Sequence, residues 1–261
     1  MTARVAALLL RYLYLYRRSL TRSMEILFWP VMDLLVWGFV TLYFQRVAAP
    51  RAVSFLLGGV ILWDVFYRSQ QSITLSISEE IWVRNLLNIF LTPIRVSELV
   101  LATCLLGLMR AVVSAGVLGL LAWLLYHFQF FAVGPAVAPF LASLVLFGWA
   151  VGMFTTGLIL RFGHAAEALI WGVPFLIQPV AAVFYPVDVM PPWLQRISHL
   201  IPATYVFEGM RQALATGRAD PGLLAPAFAA NAVFLAAAAA FFGWMLARVR
   251  DKGYLVKLAM E

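Results

Sequence analysis

The chain has 261 residues, of which 64% are hydrophobic and only 12% charged, with a formal net charge of +7. Soluble domains sit near half apolar and a quarter charged, and disorder requires low hydrophobicity. Both classes are therefore excluded, and lipid is the solvent for much of the chain. Arginine supplies nearly all the positive charge, Lys252 and Lys257 being the two lysines, and such an excess on a membrane chain marks cytoplasmic edges rather than nucleic-acid binding.

Residues 1–22 carry the first element. At 100° per residue, Arg4, Arg11, Arg18 and Arg22 fall within a sector of about 40°, with Leu9, Leu13, Tyr16 and Leu20 opposite. This pattern predicts an amphipathic helix lying in the cytoplasmic interface, its arginines toward lipid headgroups. The apolar stretch before Arg11 is too short for a secretory signal, and no cleavage pattern follows it.

Six apolar runs then read as membrane helices: Ile26 to Phe44, Val53 to Ile73, Glu98 to Tyr126, Ala136 to Leu160, Ala168 to Phe184 and Leu223 to Ala247. With the N-terminus inside, the inner gaps hold Arg4, Arg11, Arg17, Arg18, Arg22, Arg84, Arg95, Arg161, Arg248, Arg250, Lys252 and Lys257. The outer gaps hold Arg46, Arg51, Arg196, Arg211 and Arg218. Twelve against five predicts both termini in the cytoplasm. Asp33, Asp64 and Arg110 count to mid-bilayer, where a charge costs several kcal/mol unless paired, so Arg110 with one or both aspartates is the expected pairing. Arg68, four residues after Asp64, permits a pair along one helix. These charges read either as a gate or polar wall of a transport path or as a clamp between the first three spans. Phe28, Trp29, Tyr43, Phe44 and Tyr126 fit interfacial belts, whereas Trp37, Trp63, Trp149 and Trp171 lie deeper, as path-lining or packed residues. Gly148 and Gly152, like Ala115 and Gly119, predict close helix packing.

Two segments are not spans. Between the second and third, Ser76 and Glu79 form a capping-box pattern that predicts a new helix. Ile77, Ile81 or Trp82, Leu86, and Ile89 or Phe90 continue its apolar face. Pro93 ends it, and Ser97 is the expected cap of the next span. A short amphipathic helix here suits either contact with a cytoplasmic partner or a plain surface loop. Between the fifth and sixth spans, residues 184–211 hold too many prolines for one crossing and too many apolar residues for a free loop. Two short helices split at Pro202 and dipping into the outer leaflet are expected.

The chain lacks several chemistries. No lysine follows glycine at a helix start, so no Walker motif binds ATP. His127, His164 and His199 are far apart without ligand-spaced partners, and Cys104 is the one cysteine, so neither a metal site nor an intramolecular disulfide is expected.

The outer segment resembles the ABC type-2 permease family of ATP-binding-cassette exporters. It carries Tyr185-Pro186, Pro192-Trp193-Leu194, Pro202, Tyr205, Glu208 and Arg211 in the family's order, departing at Ile201 where asparagine is usual. Glu79 or Glu80 followed by Leu91-Thr92-Pro93-Ile94 resembles the family's coupling region. The resemblance implies an all-α integral membrane protein: one domain over 1–261, with an interfacial helix at 1–22, a coupling region at 76–97 and an outer re-entrant segment at 185–212. It implies a permease without enzymatic activity that pairs with a second copy in a bacterial inner membrane. A separate ATPase, binding ATP and Mg and present in two copies, would dock on Glu79, Glu80, Trp82, Leu86, Phe90 and Pro93. The implied cargo is an amphiphile moved outward: a glycan, a lipid or a drug-like molecule. An ion-coupled carrier using Asp33 and Asp64, or a membrane scaffold that moves nothing, are the rival readings.

Overall fold

The computed structural model describes residues 2–47, 54–130, 137–216 and 220–252. Arg51, Arg218 and Lys257 of the charge count, and the side chains of Leu20, Arg22 and Phe90, lie outside the described residues. Among those described there is no strand, as expected. In chain order the helices are α1 (Thr2–Arg18), α2 (Leu20–Val47), α3 (Ser54–Trp82), α4 (Leu86–Leu91), α5 (Val96–Tyr126), α6 (Ala138–Phe162), α7 (Leu169–Val180), α8 (Pro192–Ser198), α9 (Pro202–Thr216) and α10 (Leu224–Asp251).

Four stretches among the described residues are long and apolar enough to cross a membrane: Ile26–Arg46, Val96–Tyr126, Ala138–Ala166 and Pro221–Asp251. The second and fifth expected spans differ from these. The second lies in α3, which is long enough but carries Asp64, Arg68, Glu79 and Glu80 among many serines, threonines and glutamines. The fifth is the 12-residue α7, which holds Pro174 and Pro179 and reaches only about 18 Å at 1.5 Å per residue.

α3 tolerates its polarity because it is the central helix, packed by α2, α5, α6, α7 and α9. α6 meets it backbone to backbone at the predicted small residues. A β-carbon on Gly148 would lie 2.8 Å from the Phe66 carbonyl oxygen, and one on Gly152 2.8 Å from that of Gln70. α10 closes the far side of α6, where Asn231 Nδ2 donates to the Ser143 hydroxyl and carbonyl at 2.8 and 3.1 Å. The apolar core fills in two clusters along α3, one around Ile61, Phe66, Phe147 and Phe207, the other around Ile77, Ile81, Leu160 and Phe242.

Three local expectations are corrected. No helix starts at Ser76, because α3 runs on through it to Trp82 with Ser76 buried. The chain then turns at Arg84, held at φ 57°, and only the six-residue α4 follows. Ser97 does not cap α5: the N-cap is Arg95, whose amide donates to Glu98 Oε2 at 2.8 Å. α1 packs by a different face than the expected one, and Arg4 and Arg11 bond to protein groups. Val5 and Leu8 pack with Ile89, Leu99 and Ala102, and Tyr16 reaches Arg110, so α1 runs beside the first turns of α5. Its buried stripe is Val5, Leu8 and Tyr12, between the arginine and leucine faces, with Leu10, Leu13, Tyr14 and Leu15 left exposed.

Candidate functional site

The polar column of α3 sets the site. Asp64, Arg68, Ser69, Gln70, Gln71, Ser72, Thr74, Ser76, Ser78 and Glu80 are all buried, and in a water-poor interior each must find a partner. Asp64 accepts from Arg68 Nε at 3.1 Å along its own helix and from the Ser114 hydroxyl of α5 at 2.5 Å. Arg68 Nη1 donates to Gln71 Oε1 at 3.2 Å. Ser72 Oγ donates to the Thr103 carbonyl at 3.0 Å, and Thr74 Oγ1 to the Gln70 carbonyl at 3.2 Å. Most of this column is thus satisfied within the fold, the Ser78 hydroxyl and Gln70 Oε1 being left without partners.

Beside it a cavity of about 640 Å³ opens between α2, α3 and α7. Trp29, Trp37, Trp63, Trp171 and Phe175 form its walls, and Asp33, Asp64, Arg68 and Gln71 its polar side. Trp37 stacks on Phe184 with ring centroids 4.2 Å apart. Asp33 is exposed, whereas Asp64 is buried and paired with Arg68. Trp37, Trp63 and Trp171, three of the four deep tryptophans of the sequence, are therefore cavity residues; Trp149 packs in the core with its indole nitrogen unpartnered.

Arg110 does not pair with either aspartate. Its guanidinium stacks over the Tyr16 ring at 4.4 Å, and its Nε has no hydrogen-bond partner although the residue is only 7% exposed. α5 spans 31 residues, about 46 Å, against a hydrocarbon core of about 30 Å. Its first turns lie alongside α1, and Arg110 sits about 24 Å from Tyr126 along the helix.

At that end α3, α4 and α1 form a braced corner. Glu80, 3% exposed, accepts Arg11 Nη1 at 2.7 Å and Nη2 at 2.9 Å, and Asn85 Nδ2 at 2.7 Å. Arg4 Nη1 donates to the Pro93 carbonyl at 2.7 Å and lies 3.6 Å from Glu98 Oε2. α1 is outside the membrane-spanning segments, and two of its groups are perturbed. The Glu80 hydrogen bond raises the Arg11 pKa, and burial raises that of Tyr12. Trp82 donates its indole N–H to Glu167, which also meets His164, tying the corner to the turn between α6 and α7. Of the six residues expected to dock a partner, Glu80 and Leu86 face inward and Glu79 is half-buried, while Trp82 and Pro93 are exposed. The most exposed apolar side chains here are Val83 and Leu91, at 64% and 77%, which the amphipathic pattern missed because they fall in or beside the turns.

The proline-rich segment after α7 adopts the expected broken form, α8 and α9 split before Pro202. Pro192 opens α8 at N1, where its missing N–H costs nothing. Glu208 and Arg211 of α9 form a two-bond fork at 2.9 and 3.2 Å, Glu208 Oε1 also accepts the Val187 amide at 2.8 Å, and Arg211 Nη1 donates to the Ala182 carbonyl at 2.8 Å. That last bond holds Ala182 at φ 56°, a left-handed conformation costly for alanine. Tyr185 donates to the Pro179 carbonyl and Tyr205 to that of His199, at 2.7 and 2.6 Å. Pro186 precedes a single 3₁₀ turn, Val187–Val189, and Trp193 projects outward, 63% exposed. Among the described residues, no group of His, Cys, Asp and Glu is arranged to hold a metal ion.

The family model of the ABC-2 type transporter matches residues 5–215, from α1 to the end of α9. No curated protein matches the chain.

Proposed function

The chain belongs to the ABC-2 type transporter family, whose members are membrane permease components working with an ABC ATPase, and from that premise we propose that it exports an amphiphile. In this reading α3 and α7 are the polar and the short crossing of a six-span bundle with both termini in the cytoplasm of a bacterial cell membrane. Two copies pair, and two copies of a separate ATPase, which bind ATP and Mg, drive them. The cargo moves outward along the aromatic cavity between α2, α3 and α7, whose tryptophan walls suit acyl chains, aromatic rings or sugar faces.

The observation that carries this reading is the corner at the end of α3. Val83 and Leu91 are apolar and exposed on a segment whose Leu86 and Ile89 face the core, so an outward apolar surface remains for a partner contact. Behind them the corner is stiff. Arg11 and Arg4 brace it to α1, and Trp82 joins it through Glu167 to α7, whose Trp171 and Phe175 wall the cavity. A push on α4 is thereby delivered to the cavity wall.

The test is co-purification of an ABC ATPase with the permease from its native cells in mild detergent. Val83→Asp with Leu91→Asp is expected to abolish association while leaving the melting temperature of the permease unchanged. Association that survives this double change places the contact elsewhere. Transport that persists without ATP and collapses with the proton gradient overturns the ATP-driven reading itself.

A further inference from the structure

The span Ile26–Arg46 holds one acidic residue, Asp33. An ionised side chain inside a membrane span is costly and requires a partner. Arg110, the partner expected from the sequence, stacks on Tyr16 instead, and no donor among the described residues bonds the Asp33 carboxylate. The large cavity that Asp33 lines contains three charged side chains, Asp33, Asp64 and Arg68. Arg68 gives its Nε to Asp64 at 3.1 Å and its Nη1 to Gln71 at 3.2 Å, and Asp64 also accepts from Ser114. Asp64 and Arg68 therefore cancel, and the cavity keeps one net negative charge, that of Asp33. The charge stands among aromatic faces. Trp29, Asp33 and Trp37 are spaced by four along α2, so they share one face of the helix with the carboxylate between two indoles. Trp63, Trp171 and Phe175 line the same cavity. The face of an aromatic ring is electron-rich and attracts a cation. A small inorganic cation needs several oxygen ligands, whereas Asp33 is the one uncommitted carboxylate of this cavity and Gln71 Oε1 is taken by Arg68. The cavity volume of about 640 Å³ falls among the sites of drug-sized ligands, roughly 300–1,000 Å³.

From this we infer that the cavity selects its cargo by charge and receives a lipophilic organic cation, such as a quaternary ammonium, a phosphonium or a protonated tertiary amine. Asp33 is its counter-ion, and the indoles of Trp29 and Trp37 flank the charge. A cation whose charge is spread among bulky substituents is weakly hydrated and gives up little on leaving water. Its apolar substituents lie against Trp63, Trp171 and Phe175. The two aspartates of the cavity thus have separate roles. Asp64 is held by Arg68 and Ser114 and its charge is spent inside the fold, whereas the charge of Asp33 remains for the cargo. An anionic amphiphile is repelled by the same carboxylate, and a neutral glycan leaves it unanswered. The inference rests on the exporter reading and names the charge class of its substrate.

The test uses the full-length permease alone in dodecyl maltoside, an uncharged detergent. Tetraphenylphosphonium and tetraphenylborate, ions of nearly the same size and shape but opposite charge, are each titrated by equilibrium dialysis against empty micelles. Tryptophan fluorescence gives a second readout. Saturable binding of the phosphonium is expected, about tenfold or more tighter than that of the borate. Asp33→Asn is expected to weaken the phosphonium about tenfold or more and to erase the preference between the two ions, while Asp33→Glu, which keeps the charge, stays within about threefold of wild type. Trp171→Leu, which replaces a π-face by an aliphatic one, is expected to weaken the phosphonium several-fold. Absence of saturable phosphonium binding, equal affinity for the two ions, or an unchanged preference in Asp33→Asn overturns the inference. The first two outcomes are read on the wild type, so the test holds even where Asp33→Asn fails to fold. Because no ATPase is present, a failed titration leaves the co-purification result standing, and a failed co-purification leaves a measured charge preference standing.

Discussion

Replacing Arg11 with alanine removes two of the three donors that Glu80 receives, and leaves a carboxylate 3% exposed with Asn85 alone. Breaking a fully buried ion pair from one side costs about 3–5 kcal/mol. Here the Arg11 side chain is 37% exposed, so water screens part of the pair and can enter after truncation, and the expected loss is about 1–3 kcal/mol. Glu80→Gln removes the charge but keeps an acceptor for Asn85, and is expected to cost about 1 kcal/mol. In the double variant Arg11→Ala with Glu80→Gln, no stranded charge remains, so the losses are less than additive by about 1–2 kcal/mol. The cycle is read by reversible denaturation in mixed micelles. Hydrogen exchange of the amides of residues 2–18 reports whether α1 has come away from α5. A coupling energy below about 0.5 kcal/mol, or an α1 that stays protected in Arg11→Ala, would refute the claim that this pair fastens the helix to the corner.

Tyr12→Phe removes a buried hydroxyl that has no partner and is expected to be neutral or stabilising by up to about 1 kcal/mol, measured by thermal unfolding. Burial raises the Tyr12 pKa above the ordinary 10.0; the buried neutral phenol therefore contributes fully below pH 10 and its contribution is lost as pH rises beyond it, so wild type should shed α1 protection at alkaline pH and Tyr12→Phe should not. Gly152→Val forces a side chain against the Gln70 carbonyl and is expected to cost about 1–3 kcal/mol or more, so an unchanged melting temperature would contradict the α3–α6 contact. Arg211→Gln removes the bonds to Glu208 and the Ala182 carbonyl, and faster hydrogen exchange confined to residues 181–190 is expected, with α5 and α6 unaffected.

What could be read from the sequence follows the range of the interaction concerned. The Asp64–Arg68 pair, the start of α8 at Pro192 and the split at Pro202 depend on residues within one turn of each other, and helix geometry alone places them. The partner of Arg110 depends on how α1, α3 and α5 are rotated about their axes, which no count along one helix supplies. α5 is longer than the core is thick, and its first turns are clothed by α1 instead of lipid. The face of α1 was misjudged for a related reason. A two-sided reading divides a helix into polar and apolar halves, but α1 meets protein, polar partners and an exposed apolar side at once. Its buried stripe of Val5, Leu8 and Tyr12 therefore falls between the two halves.

The capping signal at Ser76 shows the same competition decided by energy. Ending α3 there would strand several backbone carbonyls and amides among Ile73, Ile77 and the α5–α6 surfaces, where no water reaches them. A serine–glutamate cap satisfies two amides at most. Continuing the helix for two more turns satisfies all of them, and carries Glu80 to Arg11 and Trp82 to Glu167. The helix stops only at Val83, the first residue after Glu79 and Glu80 that stands largely exposed, at 64%. Solvent can there take over the open backbone groups. The corner at the end of α3 thus lies about two turns beyond the place its sequence signal marks, and the apolar side chains it leaves exposed are Val83 and Leu91 rather than Leu86.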